Sequence, residues 1–209
     1  MNIRTAKIAG GMLVVAAFVV ATAPVLASAG AFSASLARVP NKAPHASSSG
    51  LNVTGSATLT LSGVNLTAHI TASGLSPNMP HLMHIHGVIG AQNDCPSKSA
   101  DANRDGLIDT LEGLPFYGPV LVTFSTSGDT SASAAFNLGV AVVADSSGNL
   151  NYTRSFKIPS DVAGDLSNLH IVIHGADLNR NGVYDGVISS LGMGIPLEAE
   201  LPVSCGVIN

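Results

Sequence analysis

Charge is scarce in this chain. Its 209 residues carry nine basic and thirteen acidic side chains. Two of the basic ones, Arg4 and Lys7, lie at the extreme N-terminus, and without them seven face thirteen, a net charge near −6. That balance excludes the basic footprint of a nucleic-acid-binding protein. Cysteine is almost absent too. Cys95 and Cys205 have one connectivity if they pair, and are two free thiols if they do not. No apolar run after residue 29 is long enough to cross a bilayer. No internal repeat is found, and no long helical periodicity.

What is present begins with a basic start, an apolar run from about Ile8 to Val20, and a small-residue exit at Ala27-Ser28-Ala29. This pattern predicts a secretory signal over 1–29, cleaved on export, and so a secreted, extracellular chain. The interruption at Gly10-Gly11 argues against a membrane anchor. Residues 30–50, rich in Ser, Ala and Pro, read as a flexible linker. Residues 51–209 then form one domain large enough for a real core. An oxidising destination favours a Cys95–Cys205 disulfide, which would constrain the unfolded chain by about 4–5 kcal/mol.

Within 51–209, β-branched alternation over 51–73 broken at Ser62-Gly63 predicts a hairpin. Residues 119–127 and 132–144 read as two strands around Gly128-Asp129. In 149–158, Leu150, Tyr152, Phe156 and Ile158 alternate with Asn151, Thr153, Ser155 and Lys157. A helical turn is predicted in 159–167, and LHIVIHG at 169–175 reads as a buried strand. Regular strands without long helices predict an all-β sandwich or barrel.

Three histidines, His81, His84 and His86, fall within HLMHIHG. In an extended chain His84 and His86 share a face. Two imidazoles there can grip one metal ion, or be hydrogen-bonded polar residues and no more. His69 reads as an exposed strand residue and His45 as part of the linker. His170 shares a face with His174, but four residues of strand hold them ~13 Å apart.

The most specific motif is DANRDGLIDTLE, 101–112. Asp101, Asn103 and Asp105 take positions one, three and five of an EF-hand-type calcium loop, and Gly106 turns the chain at six. Leu107 offers its carbonyl at seven, Asp109 sits at nine, and Glu112 closes at twelve. The alternative is an Asx-rich surface turn; with every position filled, the calcium reading is preferred. Pro96 before the loop, and Gly113 and Pro115 after it, predict a loop inserted between strands with its exiting helix cut off. A second version at 177–185 has Asp177, Asn179, Asn181, Gly182, Val183 and Asp185, but Ile188 stands where the bidentate Glu belongs. It reads equally as a second calcium site or as an Asx turn.

Taken in order, these pieces resemble copper/zinc superoxide dismutase over most of 51–209. GLSPNMPHLMHIHG is similar to that family's Gly-Leu … His-x-x-His-x-His segment. Cys95 follows after a short loop, HIVIHG resembles its late histidine strand, and the terminal CGVIN resembles its Cys-Gly-Val-Ile-Gly ending. The resemblance implies a Greek-key barrel of about eight strands. It also implies His84, His86 and His174 as copper ligands, His81 as a structural histidine bonding backbone carbonyls nearby, and Cys95–Cys205 as the disulfide. Superoxide would be the substrate.

The departures are chemical. The family's bridging histidine is Asp101 here, no histidine lies between 87 and 169, and the active-site arginine is Pro202. Zinc is therefore not expected, and the zinc loop reads as replaced by a calcium loop. Chordin-type domains also resemble this chain, through HIHG and the late IHG, and would make it a non-enzymatic extracellular module binding calcium and metal.

Overall fold

A computed structural model describes residues 29–91, 93–192 and 194–209. Apart from Ala29, the segment read as a secretory signal lies outside the described residues. Ten strands and three short helices follow in the order β1 Gly30–Arg38, β2 Thr54–Ser62, β3 Asn65–Ser73, β4 Pro80–His81, β5 Met83–His86, α1 Thr110–Tyr117, β6 Val120–Thr123, β7 Val142–Val143, β8 Leu150–Lys157, α2 Ser160–Gly164, β9 His170–His174, α3 Leu197–Glu200 and β10 Pro202–Val207. Eight strands form one antiparallel sheet, β6-β5-β9-β10-β1-β2-β3-β8, curled into a half-barrel; β4 and β7 pair separately. The expectation of an all-β barrel or sandwich is met.

Strand alternation builds the inner face. Ala57 and Leu59 of β2, Leu66, Ala68 and Ile70 of β3, and Leu150 and Tyr152 of β8 point inward, with polar neighbours outward. The hairpin predicted at 51–73 pairs from Thr54↔Ser73 to Ser62↔Asn65. The open side between the edge strands is spanned by Arg154 of β8, whose Nη1 donates to the Ser125 carbonyl (2.8 Å) and Nη2 to that of Gly128 (2.7 Å).

β5 and β9, like β10 beside them, are buried on both faces, whereas β1, β2, β3 and β8 alternate. Met83, Ile85, Ile171 and Ile173 enter the main core, each burial worth roughly 1.5–3 kcal/mol. Val172 joins a smaller cluster with Val39, Ala100, Ile108, Tyr117 and Cys205. This second cluster is the underside of the 87–118 segment, stapled to β10 by the Cys95–Cys205 disulfide. Period two thus sends the alternate residues His84, His86, His170 and His174 away from the main core and beneath covering loops.

Three expectations need correction. Residues 30–50 are not a flexible linker. Gly30–Arg38 is β1, paired with β2 from Gly30↔Leu61 to Leu36↔Gly55 and with β10 at Ala37↔Cys205. Beyond it, Asn41 Nδ2 donates to the Pro202 carbonyl and its Oδ1 accepts from Ile108 N. Small inward residues such as Ala34 suffice where the barrel packs tightly, so a low-hydrophobicity segment still makes a strand. Secondly, Pro115 does not cut off the helix after the 101–112 loop. It sits inside α1, where its missing N–H removes one backbone bond. The helix survives because Asp109 and Glu112 form a capping box at one end, while Tyr117 Oη bonds the Thr110 carbonyl from the other. Thirdly, 132–144 is not a strand. It is two 3-10 turns, Ala132–Ala134 and Leu138–Val140, leading to the two-residue β7.

Candidate metal centre

The half-barrel brings together three histidines from two adjacent strands. β5 supplies His84 and His86, and β9 supplies His174. One ring nitrogen of each lies within 4.8 Å of the others. The rings are 1–3% exposed.

Hydrogen bonds decide which nitrogen of each ring is free. His84 Nε2 faces the Ala135 carbonyl at 2.9 Å, His86 Nδ1 faces that of Gly118 at 2.9 Å, and His174 Nδ1 faces that of Glu200 at 2.7 Å. A carbonyl only accepts, so each of these nitrogens carries the proton and donates. The other nitrogen of each neutral ring then holds a lone pair: Nδ1 of His84, Nε2 of His86 and Nε2 of His174. Nδ1 of His84 is buried with no hydrogen-bond partner among the described residues. The Nε2 atoms of His86 and His174 stand 3.4 Å apart. With both protons committed to carbonyls, this contact is two lone pairs facing each other, not a hydrogen bond. A cation between them removes the conflict. For metal–nitrogen bonds of ~2.0–2.1 Å in tetrahedral array, adjacent donors lie roughly 3.3 Å apart. Carbonyl anchoring of the distal nitrogen is also how metal-binding imidazoles are held in orientation.

Burial keeps the rings neutral. Desolvation is the main cause at all three, pulling His86 down to about 3, His174 to about 4, and His84 well below the usual imidazole value. Mutual repulsion adds to the shift of His84 and His86, through His174 in both cases. The metal-binding form is therefore the resident form at neutral pH.

His81 lies beside this cluster and outside it. Its Nδ1 is 3.0 Å from the His174 carbonyl and its Nε2 is 3.1 Å from that of Ser76, so it braces backbone near the site. His170 is fully buried, neither ring nitrogen is hydrogen-bonded among the described residues, and it is not one of the clustered three. His69 is exposed on β3, bonded to Thr153.

The two Asp/Asn-rich loops share one hydrogen-bond plan. In the first, Gly106 N donates to Asp101 Oδ2, Asp105 N to Asn103 Oδ1, and Leu107 N to Asp105 Oδ1. In the second, Gly182 N donates to Asp177 Oδ2, Asn181 N to Asn179 Oδ1, and Val183 N to Asn181 Oδ1. Position four is left-handed in both, Arg104 at φ 64° and Arg180 at φ 62°. Asp185 accepts from both amides, Asn179 Nδ2 and Asn181 Nδ2.

Closure is where the two loops diverge in sequence and agree in space. Glu112 Oε1 accepts from Ala102 N, the second residue of its loop, and Oε2 from Asp109 N, the ninth. Glu198, on α3, does the same for the other loop. Its Oε1 accepts from Leu178 N, the second residue, and its Oε2 from Asp185 N, the ninth, both at 2.8 Å. The carboxylate missing at Ile188 is thus supplied from ten residues further on. Sequence reasoning missed Glu198. The available signal was a pair of glutamates, Glu198 and Glu200, alternating with Leu197, Ala199 and Leu201 in an apolar segment, where a charged side chain is buried only with a partner.

Among the described residues, two buried carboxylate oxygens stay without hydrogen-bond partners, Asp101 Oδ1 in the first loop and Glu200 Oε1, as does the Tyr184 hydroxyl of the second loop. Burial raises the Glu200 carboxyl above its ordinary range.

The chain is thus an all-β half-barrel with a buried three-histidine cluster that could hold a metal ion. No protein-family model matches it, and no curated protein matches it.

Proposed function

We propose that this chain is an exported metal-binding domain of the superoxide-dismutase-like type, holding copper at His84, His86 and His174 and calcium in the loops 101–112 and 177–185. The copper reading is carried by one observation: three neutral imidazoles present three converging lone pairs, with every other ring nitrogen tied to a backbone carbonyl. All-imidazole donation suits copper among the first-row ions. The four ordered sequence resemblances point the same way. Copper bound there would supply one-electron redox chemistry; the residues described here orient the donors and exclude water.

The calcium reading is supported by the unpartnered Asp101 Oδ1 and by an all-oxygen donor set of carboxylates, amides and the Leu107 and Val183 carbonyls, which suits a hard cation. In the second loop Glu198 takes the role of the twelfth residue.

Holding the metal, not turning over superoxide, is the role we favour. Pro202 stands where the resembled family has its guiding arginine and Asp101 where it has its bridging histidine. The rings are nearly closed to solvent, and a net acidic chain repels an anion.

Metal analysis of purified protein exposed to copper tests this. The native chain is expected to retain copper, and His84→Ala with His86→Ala to lose it; equal retention by both would sink the reading. A superoxide assay on the copper-loaded protein is expected to give a rate no higher than that of the double variant. Fast turnover would instead make the chain a dismutase.

A further inference from the structure

One short helix touches both kinds of site. α1 begins inside the 101–112 loop, its cap being Asp109 and Glu112. At its first residue, Thr110 Oγ1 donates to the Glu200 carbonyl (2.9 Å) and Thr110 N to Glu200 Oε2 (3.2 Å). That carbonyl is the acceptor for His174 Nδ1–H. At its other end, Gly118 gives the carbonyl that accepts from His86 Nδ1–H. The Tyr117 ring also lies edge-on to the His86 ring, centroids 4.7 Å apart. The fit is close: Gly118 has φ 77°, and a Cβ there would stand 2.6 Å from the Gly87 carbonyl carbon, at the end of β5. Tyr117 Oη bonds the Thr110 carbonyl, so the two ends of α1 are tied together. His84 is outside this path, since its acceptor is Ala135.

We propose that calcium in the 101–112 loop, by fixing α1, sets the ring orientations of His86 and His174, so that calcium and copper bind with positive coupling. This rests on the calcium and copper reading above. Glu112 and Asp109 are at once proposed calcium ligands and the helix cap, so an ion that draws them in fixes the first turn. From there two hydrogen bonds reach His174, and the far end of the same helix reaches His86. Coupling is reciprocal: copper tightens calcium by the same factor. A coupling of this kind amounts to about 5- to 150-fold in affinity.

The experiment uses the full exported chain in three forms: native, Thr110→Val and Thr110→Ser. Calcium binding is first measured directly by calorimetry on copper-free protein. Copper affinity is then measured by chelator competition with and without saturating calcium. The native protein is expected to bind copper at least 5-fold more tightly with calcium. The ratio is expected to fall toward one in Thr110→Val, which lacks the hydroxyl donor to Glu200, and to recover in Thr110→Ser. In copper-free protein, calcium is expected to slow solvent exchange of the ring protons of His86 and His174 while leaving that of His84 unchanged. Calcium binding with an unchanged copper affinity in the native protein would overturn the coupling and leave the calcium reading standing. No calcium binding at all would remove both, and no copper binding would remove the copper reading with the coupling.

Discussion

The histidine cluster and the two oxygen-rich loops gather their donor atoms in opposite ways. In the cluster, donors stand on β5 and β9, buried on both faces, and lone pairs that repel are kept together by the packing around them. In the loops, acceptor oxygens are already engaged by backbone N–H groups, Asp101 by Gly106 and Asp177 by Gly182, so each loop holds its shape through its own side chains. The strand cluster is assembled at the expense of stability, whereas the loops are assembled by their own hydrogen bonds. The four tests below separate the two, from the largest effect to the smallest.

Acid should separate them most clearly. His84, His86 and His174 have folded values depressed below an unfolded value near 6.5. The unfolded chain therefore binds more protons than the folded one once pH falls below about 6.5, and stability drops as pH falls. Each histidine kept neutral contributes a slope approaching about 1.4 kcal/mol per pH unit. Asp129, Asp145 and Asp165, whose values are lowered by hydrogen bonds from their own loops or neighbouring residues, lose their stabilising contribution only at lower pH. His81 and His170, also lowered by burial, add to the same slope, so urea denaturation in chelator at pH 7, 6 and 5 reads all five histidines, and equal stability at all three would contradict it. His174→Leu should lessen the dependence, which gives the cluster's share, and Glu112→Gln should leave it in place.

Chelation addresses the loops instead. At a calcium concentration a hundredfold above the dissociation constant, each occupied site adds about 2.7 kcal/mol to folding. Removing calcium at pH 7.5 should therefore lower the melting temperature by several degrees, and unchanged melting with and without chelator would discard the calcium reading. Between the loops, Glu112→Gln and Glu198→Gln should each remove one of two bound calcium ions, counted by calorimetry. If Glu198→Gln retained both, the remote closure would be wrong.

Much of the candidate site was legible because it obeys local rules. Period two places His84 and His86 on one face, and the loop spacing at 101–112 and 177–185 fixes the turns that form there. His174 needed the family resemblance, because nothing local joins residues 88 positions apart. What was hidden is tertiary. Glu198 reaches its loop only through the turn of α3, and no spacing rule covers a carboxylate delivered from outside its motif. β1 was hidden because Ala34 and Ser35 carry little hydrophobic signal; its pairing with β2 and β10 makes it a strand. α1 was hidden because its capping box sustains the helix past the interruption that Pro115 would otherwise impose. The alternating apolar residues of 132–144 suggested a strand, but Asn137 accepts from Gly139 N and bends the chain there.

The smallest expected effect concerns Ile188, the residue at the twelfth position of the second loop. If closure follows sequence spacing, Glu198→Gln combined with Ile188→Glu should regain the second calcium ion. If closure is set by α3, it should not. The structure favours the latter. Ile188 is 61% exposed and bridges Pro196 through its backbone, and Leu178 N and Asp185 N are already engaged by Glu198. A glutamate at 188 is expected to leave calcium stoichiometry and melting unchanged in the native background, within the ±0.5 kcal/mol typical of surface substitutions. It is also expected to give no rescue with Glu198→Gln. Rescue would mean that the 186–188 backbone turns inward once Glu198 is gone, making the second loop as self-sufficient as the first.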